Sequence, residues 1–241
     1  MIKSLLIVSL CAFLAAAGFF SMAVASGVAH GGRYFWTNFE HFDDNSNDDG
    51  QRVDGGGPTI TRTLAWPGGD SLEVGIAADV KYTQGPVASL VATGPKGAIE
   101  HLTVNGGELR FDRRLRHHGD RIQIVMTAPD VKHFILAGSQ DLSVNGYSQD
   151  SMDVTLAGSG DIDLHGQAKT LKLTIAGSGD VDAEGLIVTD ADVNIAGSGN
   201  AAVGPTGTAN INIAGSGDVD LTTRPSSVKS SVFGSGSIST R

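Results

Sequence analysis

The 241-residue sequence contains one cysteine, Cys11, and it lies inside an apolar N-terminal run. No disulfide can form within the chain, so its fold must rest on packing and backbone hydrogen bonds. Aromatic residues make up only 6% of the chain. Basic residues are also scarce, 17 against 26 acidic ones, for a net charge of -9. That balance argues against a nucleic-acid partner, which requires a basic face. No convincing 3.6-residue apolar period runs through residues 60–128, so no amphipathic helix is expected there.

The one long apolar run spans residues 4–24, behind Lys3. It ends at Ala23-Val24-Ala25, the small-x-small form accepted by signal peptidase, so residues 1–25 read as a signal peptide cleaved before Ser26. Retention as an anchor is the alternative, because the run nearly spans a bilayer. A lipoprotein signal is excluded, since Cys11 follows Leu10 rather than a small residue. After cleavage no stable membrane span is expected, and the protein is exported to the periplasm or the cell surface. Residues 26–58 read as a polar, acidic tether that closes with Gly55-Gly56-Gly57-Pro58. An aromatic patch within it, Tyr34, Phe35, Trp36, Phe39 and Phe42, could dock on the body or touch a partner.

Residues 59–133 read as short strands and hairpins. Leu72, Val74 and Ile76 alternate with polar or small residues, and Asn105-Gly106-Gly107 is a turn signal between Leu102/Val104 and Leu109/Phe111. The insert from Arg110 to Arg121 carries Arg113, Arg114, Arg116, His117 and His118, most simply a solvated hairpin tip.

Residues 134–241 repeat. Leu136-Ala137-Gly138-Ser139 returns with glycines at 158, 177, 197 and 215 and in a degenerate copy at Gly234, in steps of 20, 19, 20, 18 and 19. A fixed period means one structural unit per repeat, stacked on its neighbours. Inside each unit the period is two: Met152, Val154 and Leu156 before the glycine, Ile162 and Leu164 after it. A leucine-rich repeat would need a Leu-x-x-Leu-x-Leu frame and a helical return, and neither is present. The expectation is an all-β protein, a parallel β-helix of about 19-residue coils preceded by irregular strands and hairpins.

The repeated Ala-Gly-Ser-Gly-Asp phrase, the Gly106-Gly107-Glu108-Leu109 turn, and Thr127-Ala128-Pro129 leading into Phe134-Ile135-Leu136-Ala137-Gly138 resemble the bacterial head GIN domain family. That family is named for autotransporter adhesins. The resemblance covers residues 70–240 and implies an exported β-helical protein. It carries over no catalytic residue, and the chain shows no obvious C-terminal barrel of its own.

Several patterns point to chemistry. Asp161, Asp163 and His165 lie at i, i+2 and i+4 on one strand, a set that could serve acid–base cleavage of a polysaccharide. The polar face of a half-buried strand accounts for the same spacing. The pair also recurs in several repeats, whereas an active site is one asymmetric place. The Gly-Ser-Gly phrases are not Gly-x-Ser-x-Gly elbows, and the seven histidines show no zinc-ligand spacing. Asn45, Asn47, Asp49 and Gly50 match part of a calcium loop whose twelfth position is Gly56 rather than Glu.

In register, Asp141, Asp161, Asp180, Asn200 and Asp218 form one column, and Ser143, Asp163, Asp182, Ala202 and Asp220 a second. Like charges one coil apart repel by about 1 kcal/mol in water, tolerable only on a solvated face. Asp161, Asp163, Asp180, Asp182, Asp218 and Asp220 are therefore metal candidates for weak divalent-cation attraction; the alternative is a plain solubilising strip. The reading as a whole is a non-enzymatic solenoid, without catalytic residues or cofactor, acting in adhesion, envelope scaffolding or ligand display. Polysaccharide cleavage and a calcium-dependent structural module stand as alternatives. The expected partner is an envelope component or a glycan, and a homo-oligomer is compatible with the same surfaces.

Overall fold

The computed structural model describes residues 53–116 and 121–241. The leader, the aromatic patch at 34–42, the partial calcium loop and His117/His118 lie outside the described residues.

The described chain is nearly all β, a solenoid of about five turns. The repeats supply the strands β10 (His133–Gly138), β11 (Asp141–Gly158), β12 (Ile162–Gly177), β13 (Val181–Gly197), β14 (Ala201–Pro205), β15 (Thr208–Gly215), β16 (Val219–Leu221), β17 (Ser227–Gly234) and β18 (Ile238–Thr240). Every pairing among them is parallel. The six glycine corners are the boundaries of the five turns. Leu156 stands over Ile175, Ile175 over Ile195 and Ile195 over Ile213, all at most 2% exposed. Across the corner, Ile162, Val181, Ala201 and Val219 form a second inward column. Each buried aliphatic side chain contributes roughly 1.5–3 kcal/mol. A bulge follows this second wall, between Val144 and Tyr147 in β11 and between Asp163 and Gly166 in β12, and turns the coil onto a third side.

The stack begins earlier than the repeat phrase. β3 (Ser71–Val74) pairs in parallel with β10, aligning Leu72 with Phe134 and Val74 with Leu136. β4 (Ala78–Gln84) pairs in parallel with β11, Val80 beside Leu142. Residues 71–84 are thus a solenoid layer, not an irregular hairpin. Its corner reads Gly75-Ile76-Ala77, and its neighbour in space lies 62 residues on in sequence, so no period betrays it.

The intervening segment forms the cap. β5 (Ser89–Pro95) runs antiparallel to β2 (Thr59–Leu64) and to β9 (Ile122–Ala128). A six-residue helix, α1 (Lys96–His101), leads into the hairpin β6 (Leu102–Asn105) and β7 (Glu108–Phe111). The hairpin turns at Gly106 and Gly107, with φ +59° and +93°, where the sequence signals it. β7 and β9 pair in parallel with β3 and β4, so the 71–84 layer lies between the cap strands and the first repeat.

The final residues of the expected tether belong to this body. β1 (Val53–Asp54) pairs with β8 (Leu115–Arg116), and the carbonyls of Gly56 and Pro58 accept the N–H groups of Gly97 and Lys96 at 3.0 and 2.9 Å. Three aromatics absent from the repeat pattern fill the junction between the 71–84 layer and the repeats. Tyr82 and Phe134 meet edge to face at 5.1 Å, and Phe134 and Tyr147 at 6.3 Å. Burial pushes the Tyr82 phenol up to about 12. Its hydroxyl donates to the Ala128 carbonyl at 2.8 Å.

Gln140 takes the place of the second corner glycine in the first repeat. Its side chain is buried and donates to the Val74 carbonyl of the 71–84 layer at 3.1 Å.

Candidate functional site

The acidic columns form on the outward side of the second wall. In each corner phrase after the first the second glycine lets consecutive coils approach, and the residue after it, like Asp141 after Gln140, turns outward. There it does structural work between coils. Asp141 Oδ1 accepts the N–H of Asp161 at 3.1 Å. Asp180 Oδ1 accepts both the N–H and the Nδ2 of Asn200, at 3.0 and 2.9 Å. Asn200 Oδ1 accepts the N–H of Asp218 at 3.0 Å, and Asp218 Oδ1 accepts the N–H and the hydroxyl of Ser237 at 2.8 and 2.7 Å. Those two bonds from Ser237 hold the Asp218 carboxyl below its usual range, the side-chain bond first. Except at the step from Asp161 to Asp180, the column is a ladder in which side-chain oxygens satisfy corner N–H groups of the next coil.

The strip is longer than the repeats. Asp79 aligns with Asp141, and Lys81 with Ser143. Arg121 donates to Asp79 at 2.7 Å and to Asp141, and these bonds raise its own pKa, Asp141 contributing most. At the other end Arg241 reaches Asp220 at 2.8 Å and Glu184 at 3.3 Å, two coils apart in the stack, across the level held by Ala202. Two arginines thus clamp the ends of the strip. Neither was visible from the repeat phase, since both lie outside it.

Between the clamps Asp161, Asp163, Asp180 and Asp182 line a shallow open groove of roughly 440 Å³, with Asp79, Lys81 and Asp141 at one end. His165 Nε2 lies 2.9 Å from Asp163 Oδ1, and both side chains are about half exposed. The expected Asp161/Asp163/His165 set does share one face, but the groove is open to water along its length. Among the described residues no three His, Cys, Asp or Glu side chains converge to hold a metal ion.

The ladder makes a distinguishing prediction. Asn200→Asp removes the amide donor to Asp180 and turns the column from Asp141 to Asp218 into five carboxylates in succession. It should melt lower than the native chain at pH 7, and Asn200→Ala should cost about 1 kcal/mol in urea unfolding. Equal melting temperatures in calcium and in chelator, at matched ionic strength, accord with the ladder. A calcium-specific rise in Asn200→Asp would support the cation reading.

The outward side of the first wall carries a second pattern. Thr155, Thr174, Asn194 and Asn212 stand in register in one row, and Asp153, Lys172, Asp192 and Asn210 in the next. Asn212 Nδ2 donates to Asn194 Oδ1 at 3.0 Å, and Asn194 Nδ2 to Asp192 Oδ1 at 2.9 Å. His133, one layer below Asp153, has its pKa raised above 6.5, chiefly by the Asp153 carboxylate 3.6 Å away. A raised folded-state pKa gives stability that is present below 6.5 and lost as pH rises through the folded value. Melting should therefore fall slightly as pH is raised through neutrality, and His133→Gln should remove that slope.

Residues 70–225 match the family model described as "Putative auto-transporter adhesin, head GIN domain". The chain belongs to the head GIN domain family. Two solved structures share the fold. One, described as a putative adhesin from Bacteroides fragilis, is 20% identical with a TM-score of 0.62, covering 78% of this chain and 100% of its own. Another, described as a putative adhesin from Parabacteroides merdae, is 15% identical with a TM-score of 0.53, covering 79% and 99%. No curated protein matches the sequence. In this head GIN domain no helix among the described residues is long and apolar enough to cross a membrane.

Proposed function

We propose that this head GIN domain is an exported, non-enzymatic adhesion module whose outward first wall contacts a hydroxyl-rich polymer, a glycan of the envelope or of a neighbouring surface. The observation that carries this reading is the register of Thr155, Thr174, Asn194 and Asn212 on one row of a parallel sheet. Strands in such a sheet lie ~4.8 Å apart, so hydroxyls and amides repeat at a fixed short spacing along the stack. Hydroxyls donate and accept, and amides do both with separate atoms, which suits sugar hydroxyls. The adhesin description of the family and the leader-like residues 1–25 support the same reading. The shallowness of the acidic groove favours binding over catalysis, since a reaction site gains from excluding water.

The experiment is a glycan and envelope-polysaccharide binding screen with the native chain and a Thr174→Arg/Asn212→Arg variant. Both substitutions point outward, and only Asn212→Arg gives up a bond, the one to Asn194, so stability should fall by no more than about 1 kcal/mol while binding falls at least about tenfold, roughly 1.4 kcal/mol. Equal binding by the variant would move the contact to another face. Shortening of a bound polysaccharide, abolished by Asp161→Asn, would establish catalysis instead.

A further inference from the structure

The two ends of the solenoid are finished differently. The cap strands and α1 cover one end. At the other, among the described residues, β17 and β18 each pair with one strand only, β15 and β16. Ser227 donates its N–H to Gly207 at 3.1 Å, and Ser235 to Gly215 at 2.9 Å. Backbone groups alternate in direction along a strand. Residues 229, 231 and 233 therefore also face β15, and the N–H and C=O groups of Val228, Ser230 and Val232 face away from it.

The same three residues align with inward columns: Val228 with Ala209, Ser230 with Ile211, Val232 with Ile213. Ala209 and Ile213 are sealed at 1% and 0% exposure, whereas Val228 and Val232 are 47% and 40% exposed. The edge thus combines a row of outward-directed backbone groups with the uncovered end of the core, a template for another strand.

We propose that this edge pairs with the same edge of a second copy of the chain, antiparallel, about a twofold axis through Ser230. The sequence of β17 is self-complementary in that register. Val228 meets Val232 of the partner subunit and the reverse, so both extend the core columns. Ser230 lies opposite its own copy, small hydroxyl against small hydroxyl. Lys229 faces Ser231 of the partner subunit, so no like charges are opposed. The backbone groups brought together are those of Val228, Ser230 and Val232, the ones directed away from β15. Moving the axis two residues, to Val232, would set Ser230 against Gly234 and leave Val228 uncovered. The contact is isologous and closes at two copies. It is small beside the ~800 Å² per partner of a standard interface, so the dimer is weak.

Sedimentation velocity of the full chain tests this. The native protein should pass from monomer to dimer as concentration rises to about 200 μM, the regime of small interfaces. Ser230→Pro removes an N–H that β15 does not use, so it should leave melting unchanged and raise the dimer dissociation constant at least tenfold. Should Ser230→Pro melt lower, Val232→Lys carries the test, since it places a charge where apolar contact is required. A native chain that stays monomeric throughout, or dimers undiminished by both variants, would overturn the proposal. So would a monomer whose edge instead takes up an extended foreign peptide.

Discussion

Gly177→Ala should be among the most damaging single-atom additions to the solenoid. A Cβ at this corner would lie 2.1 Å from the Gly158 carbonyl oxygen and 3.0 Å from its carbon, and Gly177 has φ +141°. That carbonyl already accepts the Ser178 N–H at 2.9 Å, so it cannot swing aside without breaking an inter-coil bond. Two costs combine: backbone strain of ~1–3 kcal/mol and overpacking of ~1–3 kcal/mol. They can be separated within the same molecule. Gly68 has φ +85° with nothing within 4 Å of an added Cβ, so Gly68→Ala reads strain alone. Gly179 has no positive φ, yet its Cβ would lie 2.2 Å from the Gly160 oxygen, so Gly179→Ala reads the clash. Calorimetric melts should place Gly68→Ala nearest the native chain and Gly177→Ala lowest, by ~10 °C or more. Equal melting of Gly177→Ala and the native protein would mean the coils are not stacked at this spacing.

Ile195→Asp should be at least as severe by a different route. Ile195 is 2% exposed, aligned with Ile175 on one side and Ile213 on the other. Its Cγ2 would lie 2.9 Å from a Cβ built on Gly217, so the inward column also packs against the corner of the next coil. A carboxylate there has no partner, and burying it costs several kcal/mol unless it takes up a proton. Urea unfolding should show a loss of at least ~4 kcal/mol at pH 7, partly recovered in acid. Because repeats are stabilised by their nearest neighbours, hydrogen exchange should lose protection first in β13 and β15, and last around Leu72. Uniform loss along the stack would indicate a single cooperative core.

The repeats were legible because two simple signals coincide in them. Alternation assigned Leu156, Ile175, Ile195 and Ile213 to one inward column, and glycine spacing set their register. The layer at 71–84 carries the same alternation, but periodicity reveals stacking only between coils that follow one another in sequence. Tyr82, Phe134 and Tyr147 meet across that non-sequential junction, and no local pattern brings them together. The acidic columns were legible as columns, and their outward direction follows from alternation. Their bonding was not, because alternation assigns a face and says nothing of which backbone N–H each carboxylate will meet. Asn200 reads in sequence as an interruption of the aspartates. In the structure it is the rung whose side chain both donates and accepts.

The displaced layer also orders events in time. Contacts between successive repeats close loops of 18–20 residues, whereas Leu72 finds Phe134 across 62. By the logarithmic dependence of loop entropy on length, the longer closure costs about 1 kcal/mol more, and non-local pairing is slow. Once Phe134 has settled on Leu72, each further coil adds to a ready-made edge by a short closure. Refolding should therefore show a lag set by residues 71–138, followed by rapid growth toward Arg241. For a chain that emerges N-terminus first, the slow step would be complete or under way before the last coils are available to form.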